Sequence, residues 1–210
     1  MSRVVCIIQA RLGSTRFPRK VLADLNGKPV LQHVYDRACF IPGVDSVSVA
    51  VPWADFGEIW RAAPSVPVMA CRCADEADVL RRYQKLAKRC DAVMRLTGDC
   101  PVLNPVVARR VLELFHMSCC DFASNDTRIS GYPDGWDVEV FSRDALETAD
   151  ELATEQDDRE HVTPWMRRNL RCVTLRAPEP WTGPKKLSVD CEDDLRVVRE
   201  WLSQQKELDR

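Results

Sequence analysis

A short apolar run that opens directly into a basic loop is the feature that most restricts how this chain folds. Residues Val4 to Ile8 are β-branched apart from the small Cys6, as in a central strand that is covered on both faces. Four cationic side chains then stand within ten residues of one another: Arg11, Arg16, Arg19 and Lys20. A buried strand that ends in such a loop predicts an anion site at the carboxyl end of a sheet.

The loop has the composition of an irregular turn that binds phosphate. Gly13, Ser14 and Pro18 disfavour a regular helix, so backbone N–H groups are left to form a concave anion site. Arginine adds planar contacts with several donors to phosphate oxygens. The segment lacks the G-x-x-x-x-G-K-[ST] pattern of a P-loop. A solvated basic loop is the alternative on composition alone.

Strand-like and helix-like segments alternate after this loop, which predicts a mostly parallel sheet with helices on both faces. We expect helices over 29–40, around Ile59, over 76–90 and from an Asn104 cap to about His116, and strands over 46–51, 66–70 and 92–96. The second half departs from this alternation, with a loop over 132–137, strands over 137–141, 171–175 and 187–189, and a helix over 191–204. We expect this region to build the second side of a site.

Length and charge favour one compact enzyme domain over 1–210. The net charge is near zero and the pI is about 6.0, so the chain as a whole has no electrostatic field that would attract nucleic acid or an anionic membrane. No apolar run approaches the roughly 18 residues that span a bilayer, and the N-terminus lacks a signal-peptide pattern, so we expect a cytoplasmic protein. The ten cysteines lack paired C-x-x-C spacing. We interpret most as small buried apolar residues, with Cys100 as the candidate for a thiol that lines a site.

Four segments, in order along the chain, resemble one enzyme family. They are I-Q-A-R-L-G-S-T-R with Pro18 and K-V-L over 8–22, R-L-T-G-D-C-P over 95–101, G-W-D-V-E-V-F over 135–141, and L-S-V-D over 187–190. Together they resemble the cytidylyltransferases related to the spore-coat polysaccharide protein SpsF, kin to the acylneuraminate and KDO cytidylyltransferases. The resemblance implies a Rossmann-like, GT-A-like nucleotidyltransferase sheet flanked by helices, a small insertion in the second half, and a homodimer. One position departs from the family pattern, since Arg19 stands where a glycine usually precedes the lysine.

The resemblance also implies roles for individual residues. Arg11, Arg16 and Lys20 are expected to hold a triphosphate, with Arg11 and Lys20 stabilising charge on the departing pyrophosphate. The remaining residues expected to contact the nucleotide are Gln9, Ala10, Gly13, Ser14, Asp78, Thr97 and Gly98. Asp99 and Asp190 match the family's magnesium-binding aspartates. From the residues alone, a turn-forming aspartate and a helix N-cap explain the same two positions.

Three further residues are candidates for binding an acceptor. Asp137 and Glu139 lie two apart on a predicted strand and so share a face, where they would bind a polyhydroxylated molecule or act on its nucleophile. His161 belongs to a segment that resembles the family near its acceptor pocket, where it would take a proton from the attacking group. A solvated acidic strand face and a structural histidine are the alternatives.

The resemblance implies that an acceptor oxygen attacks the α-phosphorus of CTP with Mg²⁺ as cofactor, and that pyrophosphate leaves. The product would be a CMP-activated sugar acid or related acid, and nothing in the sequence selects among nonulosonates, octulosonates and other small acids, including phosphonates. A metal-dependent glycosyltransferase that uses a nucleotide sugar is a second hypothesis, with only Asp137-Val138-Glu139 as a weak D-x-D pattern. A third is a catalytically altered nucleotide-binding scaffold in polysaccharide assembly, for which Arg19 is the one hint.

Overall fold

A seven-stranded, mostly parallel sheet forms the centre of the protein. The computed structural model describes residues 2–72, 77–179 and 181–208, the last three of these by backbone alone. The strands are β1 (Val4–Gln9), β2 (Asp24–Leu25), β3 (Lys28–Pro29), β4 (Ser46–Pro52), β5 (Val68–Cys71), β6 (Ala92–Thr97), β7 (Phe122–Ser124), β8 (Glu139–Ser142) and β9 (Cys172–Thr174). The large sheet has the order β5-β4-β1-β6-β8-β7-β9, while β2 and β3 form a separate hairpin. Strand β8 runs antiparallel to both of its neighbours, and the other pairs in the large sheet are parallel.

Helices connect these strands and cover the sheet. They are α1 (Val30–Ala38), α2 (Phe56–Ala62), α3 (Val79–Leu86), α4 (Pro105–Met117), α5 (Thr127–Ser130), α6 (Arg143–Leu152), α7 (Gln156–His161), α8 (Pro164–Asn169) and α9 (Glu192–Leu208), with 3-10 turns at Lys20–Leu22 and Trp53–Asp55. The predicted cap of α4 is confirmed, because the Asn104 side chain accepts hydrogen bonds from the N–H groups of Val106 at 2.9 Å and Val107 at 3.3 Å.

The two faces of the sheet bury separate apolar cores. Because side chains alternate along a strand, Cys6 and Ile8 of β1 pack into one core with α1, α2 and α4, whereas Ile7 packs into the other with α3, α6 and α8. The uninterrupted apolar sequence of β1 follows from this double coverage. The predicted α/β fold, a mostly parallel sheet with helices on both faces, is therefore confirmed.

Two predicted elements differ from the structure. The strand predicted over 187–189 is absent, because its backbone bonds go to two loops: Leu187 N–H donates to Asp134 O at 2.7 Å, and Val189 N–H donates to Asp99 O at 2.8 Å. The helix predicted over 76–90 is the shorter α3, and Arg89 has a positive φ of 55° that no helix accommodates. Its predicted start at Glu76 lies outside the described residues.

The cysteines are less buried than expected. Among the described cysteines, only Cys6, Cys90 and Cys100 are buried. Burial raises the pKa of the Cys100 thiol well above its ordinary value, and nearby Asp99 adds to the effect. The Cys100 thiol is therefore protonated and unreactive at neutral pH. Among the described helices, none combines the length and apolar character that crossing a bilayer requires.

Candidate active site

The basic loop leaves β1 at the carboxyl end of the sheet and folds back on itself. The carbonyl of Leu12 accepts hydrogen bonds from the N–H groups of Ser14 at 2.9 Å and Arg19 at 3.0 Å, which closes the loop. A 3-10 turn then begins at Lys20 and directs its side chain into the cleft. Arg19 adopts left-handed dihedrals of φ 63° and ψ 21°, and its side chain turns away from the cleft to pair with Glu58.

Gly98 allows the second motif to reach the end of β1. Its N–H donates to Gln9 O at 2.8 Å. A Cβ at Gly98 would lie 3.1 Å from Gln9 O and from the side chains of Ala10 and Leu31, closer than ordinary contacts. The absence of a side chain at Gly98 therefore lets Asp99 lie beside the basic loop.

Three adjoining cavities form one cleft above the carboxyl ends of β1 and β6. The basic cavity, of about 350 Å³, is lined mainly by 9–21 and 95–99 and by Glu160 and His161. The junction cavity, of about 290 Å³, lies between Asp99, Asp190 and Glu139. The outer cavity, of about 930 Å³, is lined by residues of 126–139 and of 157–167, and by Trp181 and Lys185. Arg95 lines all three cavities.

Most residues predicted to bind the nucleotide line the basic cavity. They are Gln9, Ala10, Arg11, Gly13, Ser14, Arg16, Lys20, Thr97 and Gly98, which come from two distant parts of the sequence. Asp78 is not among the lining residues. Its carboxylate caps α3 by accepting from Arg81 N–H at 3.0 Å, and it forms two hydrogen bonds with the Arg159 guanidinium at 2.9 and 3.0 Å. The structure thus places Asp78 beside the cavity wall, in a structural ion pair.

The two aspartates predicted to bind metal meet at Lys20. The ammonium of Lys20 lies 2.6 Å from Asp99 Oδ2 and 2.8 Å from Asp190 Oδ1. Asp190 Oδ2 is in turn 3.1 Å from Lys186 Nζ and 3.2 Å from Arg16 Nη2. Burial acts to raise the pKa of Asp190, but the surrounding cations outweigh it and lower this pKa to about 2. Asp190 is therefore ionised throughout the neutral range. At the start of α9, the N–H groups of Asp190 and Cys191 donate to Asp194 Oδ2 at 2.8 and 3.0 Å, so Asp194 takes the role that an Asp190 cap was expected to have.

The arrangement suits one hard cation that also binds phosphate oxygens. Lys20 stands in for such a cation, since its ammonium already contacts both carboxylates. In the described parts of the chain, no three His, Cys, Asp or Glu side chains gather into a cluster that would hold a metal. Mg²⁺ commonly binds to one or two carboxylates and completes its shell with phosphate oxygens and water. The residues present therefore fit Mg²⁺ bound together with a nucleotide.

The residues predicted to bind the acceptor lie on the other side of the cleft. Asp137 and Glu139 line the junction and outer cavities, and His161 lines the basic and outer cavities. The prediction that Asp137 and Glu139 share one strand is wrong, because β8 begins at Glu139 and Asp137 precedes it. The Asp137 carboxylate accepts from Thr127 Oγ1 at 2.6 Å and from Gly135 N–H at 3.0 Å, which holds it in the loop. His161 ends α7 with a largely exposed side chain. This half of the chain does face the basic loop, as expected.

Glu139 is the centre of a buried ion network. It pairs with Arg95 at 2.5 Å and with Arg167 at 2.7 Å, and it accepts from Thr163 Oγ1 at 2.8 Å. Burial acts to raise the pKa of Glu139, but the two arginines and Thr163 hold it below its ordinary value. Glu139 is thus an ionised carboxylate whose oxygens are already engaged. It is better placed to hold guanidinium groups than to accept a proton.

Sequence reasoning missed the arginines of this network. Arg95 lies within the mostly apolar β6, where it is opposite Ile7 on one neighbouring strand and Glu139 on the other. Its Nε donates to Gln9 Oε1 at 3.2 Å. Because a charge is costly to bury, an arginine within an apolar strand indicates a buried partner, and this signal could have identified Arg95 from the sequence. The Arg167 guanidinium contacts both Glu139 and Asp126, and it lies 2.9 Å from Asp126 Oδ2. Arg167 lies on a helix, where a charged residue is common and gives no hint of a buried ion pair.

Comparison with known proteins agrees with this geometry. A family model described as cytidylyltransferase matches residues 5–185. The chain is 41% identical over 113 residues to 3-deoxy-manno-octulosonate cytidylyltransferase of Anaeromyxobacter dehalogenans (strain 2CP-C), a match that covers 53% of this chain and 47% of that protein. The match thus spans about half the length of this curated relative.

Two solved structures share the fold over almost the whole chain. A cytidylyltransferase from Leptospira borgpetersenii has a TM-score of 0.87 and 25% identity, and the match covers 97% of this chain and 88% of that one. A CMP:2-keto-3-deoxy-manno-octonic acid synthetase complexed with CTP has a TM-score of 0.76 and 22% identity, and the match covers 97% and 100% of the two chains.

Proposed function

The chain belongs to the cytidylyltransferase family, and from this premise we propose that it transfers CMP from CTP to a small acidic acceptor and releases pyrophosphate. The observation that carries the proposal is the continuous cleft. The basic cavity, which has two carboxylates at its edge, adjoins a larger cavity, and Arg95 lines both. The basic cavity is proposed to hold the triphosphate. The outer cavity has room for an acceptor of sugar size.

The basic loop would act by charge and position. Arg11, Arg16 and Lys20 line the basic cavity from one side. When an acceptor oxygen attacks the α-phosphorus, the bond to the bridging oxygen of pyrophosphate breaks and negative charge accumulates on that leaving group. Fixed cations stabilise this charge more in the transition state than in the ground state, which accelerates the step. Arg11 and Lys20 are proposed to supply most of this stabilisation.

Asp99 and Asp190 would hold Mg²⁺, which supplies further neutralisation of the triphosphate. His161 lines both the basic and the outer cavity and is proposed to accept the proton of the attacking hydroxyl. Asp137 would hold acceptor hydroxyls. Glu139 would act indirectly, by fixing the guanidinium groups of Arg95 and Arg167 at the junction of the cavities.

The names of the relatives suggest which acceptors to test. Among them are a 3-deoxy-manno-octulosonate cytidylyltransferase and an 8-amino-3,8-dideoxy-manno-octulosonate cytidylyltransferase. A sugar acid of this class is therefore the first acceptor to try, and other small acids follow. A homodimer that acts in the cytoplasm in polysaccharide biosynthesis belongs to the same proposal.

The proposal is tested first by ligand binding and then by turnover. Thermal unfolding with Mg²⁺ and CTP, UTP, GTP, ATP or a UDP-sugar reports which ligand binds the native state, because selective binding raises the melting temperature. We expect stabilisation by CTP, followed by pyrophosphate release that requires both CTP and a sugar acid. Stabilisation by the UDP-sugar alone would favour a glycosyltransferase. CTP binding without turnover of any acid tested would favour a nucleotide-binding scaffold.

A further inference from the structure

Lys20 occupies the position between the two carboxylates that are proposed to hold Mg²⁺. Its ammonium lies 2.6 Å from Asp99 and 2.8 Å from Asp190, and its side chain is only 14% exposed. The second oxygen of Asp190 is contacted by Lys186 at 3.1 Å and Arg16 at 3.2 Å. Both oxygens of Asp190 and one oxygen of Asp99 are thus already engaged by cations of the chain itself.

The ion pairs of this cluster match cations of the chain with carboxylates in equal number. Lys186 also contacts Asp194 at 2.7 Å, so three cations (Lys20, Lys186, Arg16) face three carboxylates (Asp99, Asp190, Asp194). A free divalent cation that entered here would meet the Lys20 ammonium at contact distance, and this repulsion is large away from bulk water. A triphosphate, in contrast, offers the ammonium new oxygens nearby, since Lys20 also lines the basic cavity.

We propose that Lys20 is a latch on the carboxylate pair, which keeps a divalent cation out until a triphosphate draws the ammonium away. This inference rests on the proposed function, because it assumes that the triphosphate and the metal share this cleft. The displaced ammonium moves to phosphate, and the freed carboxylate oxygens become available to the cation. Nucleotide and metal then bind cooperatively, and by linkage each raises the affinity for the other by the same factor.

Binding of Mn²⁺ without nucleotide tests the latch. Mn²⁺ is a paramagnetic substitute for Mg²⁺, and electron paramagnetic resonance measures the concentration of free Mn²⁺. We expect weak binding by the wild type and at least tenfold tighter binding by Lys20→Met and Lys20→Gln, which leave the carboxylates without the bridging ammonium. Lys186→Met is the matched control, because Lys186 contacts Asp190 but forms no ion pair with Asp99. We expect it to change Mn²⁺ affinity less than threefold. Adding Asp99→Asn to Lys20→Met should abolish the gain.

Two outcomes would overturn the latch. They are Lys20 variants that bind Mn²⁺ no more tightly than the wild type, or a gain in Lys186→Met equal to that in Lys20→Met. The last would assign the effect to net charge alone. Each of these leaves CTP binding by the wild type untouched. Failure of the proposed function would appear separately, as the absence of any stabilisation of the wild type by CTP.

Discussion

At the scale of single residues, the backbone conformation at Arg19 shows why a glycine suits this position. Its φ of 63° lies in the left-handed region, where a glycine is accommodated without the steric cost of a Cβ. The Arg19 side chain pairs with Glu58 and is 64% exposed, and it does not line the basic cavity. The substitution therefore strains the backbone of the loop without adding a cation to the cleft, which argues against a catalytically altered scaffold.

This strain predicts the effect of restoring glycine. Arg19→Gly and Arg19→Ala both remove the ion pair with Glu58, but only glycine relieves the left-handed conformation. The relief of roughly 1–2 kcal/mol is partly offset by the greater entropy of glycine in the unfolded chain, roughly 0.5–1 kcal/mol. We expect Arg19→Gly to be more stable than Arg19→Ala by about 0.5–1 kcal/mol in urea unfolding. CTP affinity should be the same in both, and a less stable glycine variant would contradict the strain.

Asp99 and Asp190 carry the sharpest prediction about turnover. Replacing either by Asn retains the shape of the side chain but removes the charge that is proposed to hold Mg²⁺, so we expect pyrophosphate release to fall by roughly 100-fold or more. The assay uses saturating Mg²⁺ and CTP, with circular dichroism to verify the fold. Asp193→Asn is the control, because Asp193 is 85% exposed on α9. Full activity of either test variant would remove that aspartate from the mechanism.

At the scale of elements, the sequence predicted the repetitive part of the fold and missed the irregular part. Strands β1, β4 and β6 were predictable because each is rich in buried apolar residues, although Ser48 interrupts the apolar pattern of β4 and Arg95 that of β6. Helices α5, α7 and α8 were not, since four to six residues carry too little helical periodicity. The three-residue β7 and the ten-residue α6 were missed as well. Over 187–189 the apolar alternation correctly predicted that Leu187 and Val189 are buried, but it wrongly predicted a strand. The pattern of side chains does not specify which groups the backbone N–H and C=O bond to.

The candidate site divides in the same way. Lys20 and Asp190, which lie within the matching motifs, were identified although 170 positions separate them. Arg95 also lies within a motif but was missed, as were Arg167 and Glu160, which come from outside the four motifs. Glu160 contacts Arg11 at 3.2 Å only because α7 folds back over the basic loop, a consequence of tertiary packing that no local pattern specifies.

The Arg95–Glu139 pair joins β6 to β8 and predicts a stability change that depends on pH. Arg95→Met leaves Glu139 buried with one fewer cation, a change that costs about 3 kcal/mol at neutral pH. In the wild type the lowered pKa of Glu139 contributes stability above its unfolded pKa, and this is lost as the pH falls through the folded pKa. In Arg95→Met burial is less opposed, so the pKa of Glu139 rises and the ionised form is penalised.

The deficit of Arg95→Met should therefore be larger at pH 7.5 than at pH 4.5 in urea unfolding. The control is the same replacement in a Glu139→Gln background. Without a titrating carboxylate at this position, its cost should be similar at the two pH values. A deficit of Arg95→Met that does not change with pH would mean that Arg95 stabilises the sheet by packing alone.

At the scale of the whole molecule, a third apolar core joins segments from both ends of the chain. It contains Leu25 and Val30 near the N-terminus, Val102 after β6, Leu187 and Val189 before α9, and Leu195, Val198 and Leu202 of α9. Trp181 lies beside it, with ring centroids 4.7 Å from Trp136 and 5.6 Å from Trp201. Trp181 also lines the outer cavity. This core therefore fixes Asp190 against the basic loop and supports the wall of the cleft.

Because the third core draws on both halves, we propose that the chain unfolds as one unit, in keeping with a single domain. Val198 is fully buried in α9 and Val106 is 65% exposed in α4, so the matched pair Val198→Ala and Val106→Ala separates burial from helix propensity. We expect Val198→Ala to cost about 2 kcal/mol and Val106→Ala less than about 0.5 kcal/mol. In both variants, the urea unfolding curves followed by far-UV circular dichroism and by tryptophan fluorescence should have the same midpoint. Three of the six tryptophans, Trp136, Trp181 and Trp201, pack against the third core. If their share of the fluorescence changed before circular dichroism in Val198→Ala, α9 and its core would be a separate unit. Asp190 would then be positioned by a part of the molecule that the sheet does not stabilise.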